Sequence, residues 1–87
     1  MNTVYRIYTE DLNRDEIIRL TATEFDSFTL QPTTGYYEGK PEKSIVLEIV
    51  EAKKKNVTAV AKRIRGLTGQ RSVLVMRLTG KAKNVKS

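Results

Sequence analysis

The segment that most constrains the fold is Ser-Ile-Val-Leu-Glu-Ile-Val-Glu, at residues 44–51. Side chains on a strand alternate between two faces, so both faces of this segment would be largely apolar. One face carries Ile45, Leu47 and Ile49, and the other carries Val46, Glu48 and Val50. Its β-branched residues suit a pleated surface better than a helix. The segment therefore predicts a central strand that is covered on both sides.

The chain has 87 residues and contains neither histidine nor cysteine. That length provides for one hydrophobic core, and we expect a single domain at 1–79 followed by a flexible basic tail at 80–87. The missing residue types remove the commonest general base, the commonest transition-metal ligand and all thiol chemistry. The composition therefore predicts a protein that is not an enzyme and that has no cofactor and no metal.

The first residues of the chain lack the apolar stretch of a signal peptide, and no segment is apolar enough to span a membrane. This pattern predicts a cytoplasmic protein without a membrane partner. If a virus encodes it, the location is the host cytoplasm.

Charge is distributed unevenly along the chain, whose formal net charge is +6. Residues 1–30 carry three arginines and six acids, whereas residues 51–87 carry eleven Lys or Arg and one acid. The C-terminal half is therefore expected to attract phosphate or other anions. A basic surface that serves only solubility is the alternative.

Periodicity predicts three further strands and two helices around the central strand. The strands lie at 3–9, from 28 and at 72–78, and the helices lie at 14–25 and 57–65. Pro32 cannot donate a ladder hydrogen bond, which marks the second strand as an edge strand or a bulge, and residues 33–41 are expected to end it and form a loop. The order β-α-β-β-α-β predicts an α+β, ferredoxin-like fold, with one four-stranded antiparallel sheet and both helices on one face.

Each predicted helix has an apolar stripe that would face the sheet. Asn13 and Glu16 have the spacing of a capping box at the start of the first helix. Its inner stripe is predicted to be Ile18, Ala22 and Phe25, flanked by Ile17 and Thr21. The stripe of the second helix is predicted to be Val57, Val60, Ala61 and Ile64.

The sheet face opposite the helices is expected to be apolar. The covered face is predicted to carry Ile45, Leu47 and Ile49 of the central strand, together with Tyr5, Ile7, Phe28, Leu30, Leu74, Met76 and Leu78. The opposite face would carry Val4, Arg6, Tyr8, Val46, Glu48, Val50, Val73, Val75 and Arg77. This pattern predicts a homo-oligomer interface, within which Glu48 pairs with Arg6 or Arg77. A partly exposed face with a cross-strand ion pair is the alternative.

Aromatic and basic residues near two glycines predict a small-anion site. Cations would neutralise phosphate and a tyrosine ring would stack on a base. The predicted ligand residues are Tyr36, Tyr37, Lys40, Lys43, Lys53, Lys54 and Arg71, in the 36–43 loop and at the start of the second helix. Residues 35–40 do not have the spacing of a P-loop. Tyrosines near a hairpin more often pack against the sheet edge, and that is the alternative for this pair.

The chain resembles a group of small ferredoxin-like proteins encoded by phages and bacteria. The resemblance rests on residues 8–11, 25–30, 35–40 and 70–75, covers about residues 4–78, and departs at the lysines of 53–55, where acids are commoner. It implies a viral or mobile-element accessory protein that acts by binding.

Two functional hypotheses follow from these patterns. The first is a non-enzymatic, phage-type accessory protein that is homo-oligomeric and binds an anionic, nucleotide-like ligand or a host protein. Such a protein would act as a sponge for a host signal or as an inhibitor of host defence. The alternative is a sequence-nonspecific nucleic-acid-binding protein that uses Lys55, Lys62, Arg65, Lys81 and Lys83.

Overall fold

The apolar segment at 44–51 lies almost entirely within a central strand. The computed structural model describes residues 2–80. In chain order, its elements are β1 (Asn2–Glu10), α1 (Arg14–Glu24), β2 (Thr29–Tyr37), β3 (Lys40–Val50), α2 (Lys54–Thr68) and β4 (Leu74–Gly80). The strands form one antiparallel sheet in the order β2-β3-β1-β4. The predicted ferredoxin-like fold is therefore confirmed.

The core lies between one face of the sheet and the two helices. Its residues come from the two central strands and from both helices, and the aliphatic ones are almost fully buried. They are Tyr5, Ile7, Ile17, Ile45, Leu47, Ile49, Val57, Val60, Ala61 and Ile64. Burying one large aliphatic side chain contributes about 1.5–3 kcal/mol, so this cluster holds the two helices on the sheet. The predicted inner stripe of α2 is confirmed.

The first helix is rotated relative to the predicted stripe. Ile17 and Thr21 are fully buried, whereas Ile18 is 37% exposed and Ala22 is exposed. The Thr21 hydroxyl donates to the Ile17 carbonyl at 2.7 Å, so its burial leaves no unpaired donor. Because this polar side chain is satisfied within its own helix, it can occupy a core position, and the stripe predicted from Ile18 and Ala22 is wrong.

The predicted capping box at the start of α1 is not formed. Asn13 has a φ of 54° and makes no side-chain cap hydrogen bond. Side-chain capping requires an extended backbone at this position, whereas Asn13 adopts the left-handed region that asparagine tolerates. Arg14 instead reaches back to the carboxylate of Asp11 and closes the turn before the helix.

In the last strand, the side chains that the sequence assigned to the open side of the sheet face the helices, and the others face away from them. Val75 pairs with Ile7, and Arg77 pairs with Tyr5. Paired residues of antiparallel strands share a face, so these residues lie on the helix-covered side. Val73 and Val75 accordingly pack against the core. The predicted faces of this strand are wrong, because a shift of one residue exchanges the two sets.

Strands β2 and β3 form a longer hairpin than the sequence predicted. Their pairing continues to Tyr37 and Lys40, across residues expected to form a loop. Only Glu38 and Gly39 make the turn, and both have positive φ, at 50° and 77°. Two positive φ angles match the right-handed twist of a hairpin. As Pro32 indicated, β2 lies at an edge of the sheet.

The substitution Glu38→Asn is expected to stabilise the hairpin. A positive φ costs an ordinary L-residue about 1 kcal/mol, and asparagine is the non-glycine residue that tolerates it best. We therefore expect the free energy of unfolding to rise by about 0.5–1 kcal/mol, measured by urea denaturation. Thr34→Asn, in the extended part of the same hairpin, is the control and should give no gain.

Two sequence predictions concern Gly80, the last residue that the structure describes, and the residues after it. Strand β4 extends through Gly80, the first residue of the predicted tail, while Lys81 and Lys83 lie outside the described residues. The single domain and the flexible tail stay predictions. In the part of the chain that the structure describes, no helix is long and apolar enough to cross a membrane.

Candidate functional site

The side of the sheet away from the helices is mostly apolar, and we call it the open face. In the central part of this face, strand pairing places three residues each from β1, β3 and β4. They are Val4, Arg6, Tyr8, Val46, Glu48, Val50, Leu74, Met76 and Leu78. The six residues predicted from β1 and β3 therefore lie here. Val73, Val75 and Arg77 do not, and the sequence reading missed the three β4 residues that take their place.

Several aliphatic side chains of the open face are exposed. Val50 is 51% exposed, Leu74 is 56% exposed and Met76 is 39% exposed. A sheet face left in water is usually polar. Contiguous apolar surface rimmed by polar groups commonly marks an association site.

An ion pair lies in the middle of the open face. Arg6 Nε donates to Glu48 Oε2 at 2.8 Å, and the two residues are directly opposite in the register of β1 and β3. Two hydrogen bonds raise the pKa of the Arg6 guanidinium. The bond to Glu48 has the larger effect, and the bond to Tyr8 has the smaller one. The prediction that Glu48 pairs with Arg6 is confirmed, and Arg77 is excluded as a partner because it lies on the other face.

Polar side chains from the neighbouring edge strand surround this pair. A shallow depression of about 200 Å³ is lined by Arg6, Tyr8, Thr29, Gln31, Val46 and Glu48. Its polar floor contrasts with the aliphatic residues of β4 on the other side of β1. The open face thus combines apolar area with a fixed polar centre, which is the arrangement that can both drive association and set its register.

The predicted ligand residues fall into two groups at opposite ends of the sheet. Lys40 and Lys43 lie in the first part of β3, whereas Lys53 and Lys54 follow its last residue. At about 3.3 Å per residue, the ten steps from Lys40 to Val50 span roughly 33 Å. The structure therefore does not bring all of these residues together in one small site. Whether either group binds an anion stays a prediction.

The hairpin tyrosines and Arg71 lie at the same end as Lys43. Tyr36 and Tyr37 are exposed at the tip of the β2–β3 hairpin. The loop before Arg71 is fastened to the end of β1 by Gln70, which donates to Thr9 Oγ1 at 2.6 Å and accepts from the Glu10 amide at 3.2 Å. Arg71 therefore lies near the end of β1, which is the end of the sheet where Lys43 lies.

A cavity lies beside Lys43, where the hairpin leaves the helix-covered part of the sheet. Its volume is about 440 Å³, and its lining combines two cations with three hydroxyl groups. The lining residues are Asp11, Arg14, Pro32, Thr33, Thr34, Lys43 and Ser44. The sequence reading missed Arg14 and the hydroxyl residues, although the pairing of β2 with β3 would have placed Thr34 beside Lys43.

The charges in this cavity favour an anion over a proton-transfer reaction. The hydrogen bond from Arg14 lowers the pKa of the Asp11 carboxyl, and the charge of Lys43 acts in the same direction. Asp11 therefore stays ionised and occupied by Arg14 near neutral pH. Thr33 Oγ1 and Ser44 Oγ lie 2.7 Å apart, so one hydroxyl already bonds the other. Among the residues described, no group of acidic side chains could hold a metal ion.

The residues of the nucleic-acid alternative lie elsewhere. Lys55, Lys62 and Arg65 are all exposed on α2. Lys55 and Lys62 lie opposite the buried stripe, whereas Arg65 lies at its edge, four residues after the buried Ala61. Lys81 and Lys83 lie outside the described residues. The helices separate this surface from the open face.

No protein-family model matches the sequence, and no curated protein matches it. Several solved structures are similar in fold. A DUF3240 family protein from Shewanella baltica OS155 has a TM-score of 0.69 at 10% identity, over 99% of this chain and 97% of that protein.

Several of the similar structures contain adenosine-based ligands. A phage SAM lyase in complex with S-methyl-5′-thioadenosine has a TM-score of 0.69 at 18% identity, over 88% of this chain and 80% of the lyase. GlnK from B. subtilis in complex with ATP has a TM-score of 0.63 at 19% identity, over 88% of this chain and 81% of GlnK. At these identities the comparisons establish the fold. The resemblance to small ferredoxin-like proteins is thus confirmed for the fold, while the phage origin stays a prediction.

Proposed function

We propose that this protein is a non-enzymatic homo-oligomer that assembles through the open face and binds an anionic, nucleotide-like ligand. The observation that carries the proposal is the exposed aliphatic surface around the Arg6–Glu48 ion pair. A chain of this length has a small stability margin, and covering that surface with a second copy would add to it.

We place the ligand in the cavity beside Lys43. Its volume of about 440 Å³ lies in the range of small-molecule sites. Lys43 supplies a cation, and Thr34, which pairs with it in the register of β2 and β3, supplies a hydroxyl donor on the same face; together they suit a phosphate group. Several proteins of similar fold were solved with adenosine-based ligands, so adenine nucleotides are the first probes to use.

Binding without turnover is favoured over catalysis. The chain has no histidine or cysteine, and the one carboxylate in the cavity is held by Arg14. The phage lyase of similar fold makes S-adenosylmethionine the substrate to test. We expect the purified protein to leave it unchanged, and product formation would instead assign an enzyme. The finer role is a phage accessory protein in the host cytoplasm that acts as a nucleotide sponge or as an inhibitor of a host protein.

The ligand site is tested by thermal unfolding in the presence of ATP, ADP and S-adenosylmethionine. A ligand at about 100 times its Kd stabilises the folded state by about 2.7 kcal/mol, which corresponds to a Tm rise of roughly 10–20 °C for a domain of this size. Lys43→Ala combined with Thr34→Val should abolish that rise. Lys53→Ala with Lys54→Ala, at the opposite end of the sheet, is the control and should keep it.

The outcome assigns the site without ambiguity. Loss of the Tm rise in the Lys53 and Lys54 variant alone would move the site to the start of α2. No rise with any nucleotide would remove the ligand from the proposal. Assembly is measured separately by light scattering, where the mass of a single chain at micromolar concentration would contradict the homo-oligomer.

A further inference from the structure

Helix α2 presents several exposed cations to solvent. Its inward side chains are buried, whereas Lys54, Lys55, Lys62 and Arg65 are exposed, and we call these four residues the basic face. The helix contains no acidic residue over its 15 positions. Cations in the first turn oppose the helix dipole, so Lys54 and Lys55 bring no benefit to the helix itself.

The charges of the basic face are not neutralised within the described chain. The ion pairs of residues 2–80 join Arg6 to Glu48, Arg14 to Asp11 and Arg19 to Glu16. Arg65 donates to the Arg71 carbonyl at 2.9 Å, which fixes its position while leaving its charge uncompensated. The three lysines are therefore available to an external anion.

The shape of this surface is a shallow trough. It has a volume of about 540 Å³ and is lined by Lys54, Lys55, Thr58, Ala59 and Lys62. Small side chains form its floor, and lysines stand at both ends. Lys55 and Lys62 are seven residues apart, which is about 10 Å along the helix axis. An elongated, unenclosed trough fits an extended polyanion better than a small ligand, which prefers an enclosed site.

The side chains of the basic face indicate which class of macromolecule it can bind. Protein partners are usually held by aromatic or large aliphatic anchors, and the trough offers only Thr58 and Ala59 between its cations. Insertion into a lipid surface needs an apolar helix face, and that of α2 is buried in the core. Single-stranded nucleic acid is held by stacking on aromatic rings, and α2 contains none. A duplex needs only cations spaced along its phosphates.

We propose that the basic face of α2 binds the phosphate backbone of double-stranded DNA without reading its sequence. Phosphate contacts by lysine position a protein on a duplex and carry no base information. The basic face lies on the opposite side of the molecule from the open face, so DNA binding is compatible with assembly and independent of it. It is also separate from the cavity beside Lys43.

The test is fluorescence anisotropy of a random-sequence duplex with the full chain over a series of salt concentrations. Three lysine–phosphate contacts predict a slope of about −3 for log Kobs against log salt. Lys55→Ala with Lys62→Ala should lower affinity about tenfold or more at 0.1 M salt and bring the slope to about −1. Ala59→Leu, which fills the trough without changing charge, should lower affinity and leave the slope unchanged.

The matched control removes two exposed cations elsewhere, as Lys40→Ala with Arg77→Ala. It should leave the slope unchanged. An equal loss of affinity and slope in the control would show that net charge alone attracts DNA, and would overturn the assignment to α2. Tighter binding of single-stranded DNA, or binding to phosphatidylserine vesicles but not to the duplex, would overturn the choice of partner.

Discussion

Leu74→Lys is expected to convert the assembly into folded monomers, whereas Val75→Lys should destabilise the fold itself. The two residues are neighbours on β4, but Leu74 pairs with Tyr8 on the open face and Val75 pairs with Ile7 on the covered face. A lysine at position 74 would place a cation in the aliphatic part of the proposed interface. A lysine at position 75 would place it against the core.

The expected magnitudes separate the two effects. Leu74→Lys should change the free energy of unfolding of the monomer by less than about 0.5 kcal/mol, as exposed substitutions usually do. It should raise the dissociation constant of the assembly by roughly a hundredfold or more. Val75→Lys should lower the free energy of unfolding by about 2–3 kcal/mol, because the charge is forced toward apolar groups.

Light scattering and urea denaturation of both variants provide the measurement. Val46→Glu, on the open face of β3, should reproduce the effect of Leu74→Lys from a different strand. If Val75→Lys gave a stable monomer and Leu74→Lys unfolded, the register of β4 would be the reverse of the one described.

Removing Glu48 alone is expected to weaken assembly more than removing Glu48 together with Arg6. In the monomer the pair is partly exposed, so either side chain can be solvated when its partner is lost. In a covered interface the remaining arginine would be desolvated without a counter-ion. Glu48→Leu should therefore raise the dissociation constant about a hundredfold, and the double variant with Arg6→Leu should return to within about tenfold of the original.

A double-mutant cycle on the dissociation constant measures this coupling. Gln31→Leu is the control. This residue lines the shallow depression around the Arg6–Glu48 pair, and its replacement removes a polar side chain without leaving a charge unpaired. Independent, additive effects of Glu48→Leu and Arg6→Leu would show that the pair is not enclosed by a partner.

The central strand and the second helix could be predicted because their patterns admit one solution. In β3, aliphatic residues occupy both faces, which places the strand inside the sheet. In α2, Val57, Val60, Ala61 and Ile64 form one stripe, and apart from Leu67 the rest of the helix is polar or small. The lone carboxylate at Glu48 also predicted an arginine partner on a neighbouring strand, but the sequence left Arg6 and Arg77 open. The register of β4, which places Arg77 on the covered face, decides for Arg6.

The last strand and the first helix could not be predicted in the same way. Residues 73–76 read Val-Leu-Val-Met, so both faces are apolar and alternation does not tell the core side from the open side. In α1, adjacent isoleucines compete for the core, and the choice of Ile17 depends on Thr21 bonding within the helix. Both choices are made by tertiary packing.

The separation of the predicted ligand residues into two groups at opposite ends of the sheet could have been predicted from the sequence. A hairpin before a strand and a helix after it must lie at opposite ends of that strand. Lys43 and Lys53 could therefore be separated once the order of elements was known. The cavity beside Lys43 was not visible, because it depends on how the β2–β3 hairpin passes the turn between Asp11 and Arg14.

The position of β1 has a consequence for how the chain is made. This strand leaves the ribosome before the other three strands, yet one of its edges is paired only by β4, from Asn2 opposite Gly80 onward. The β2–β3 hairpin can close during synthesis, because its partners are near in sequence, while β1 must wait for the last strand. A chain interrupted before residue 74 would expose the edge of a central strand, which is a template for pairing with other unfinished chains. The hazard of aggregation is therefore concentrated in the interval between the emergence of α2 and that of Gly80.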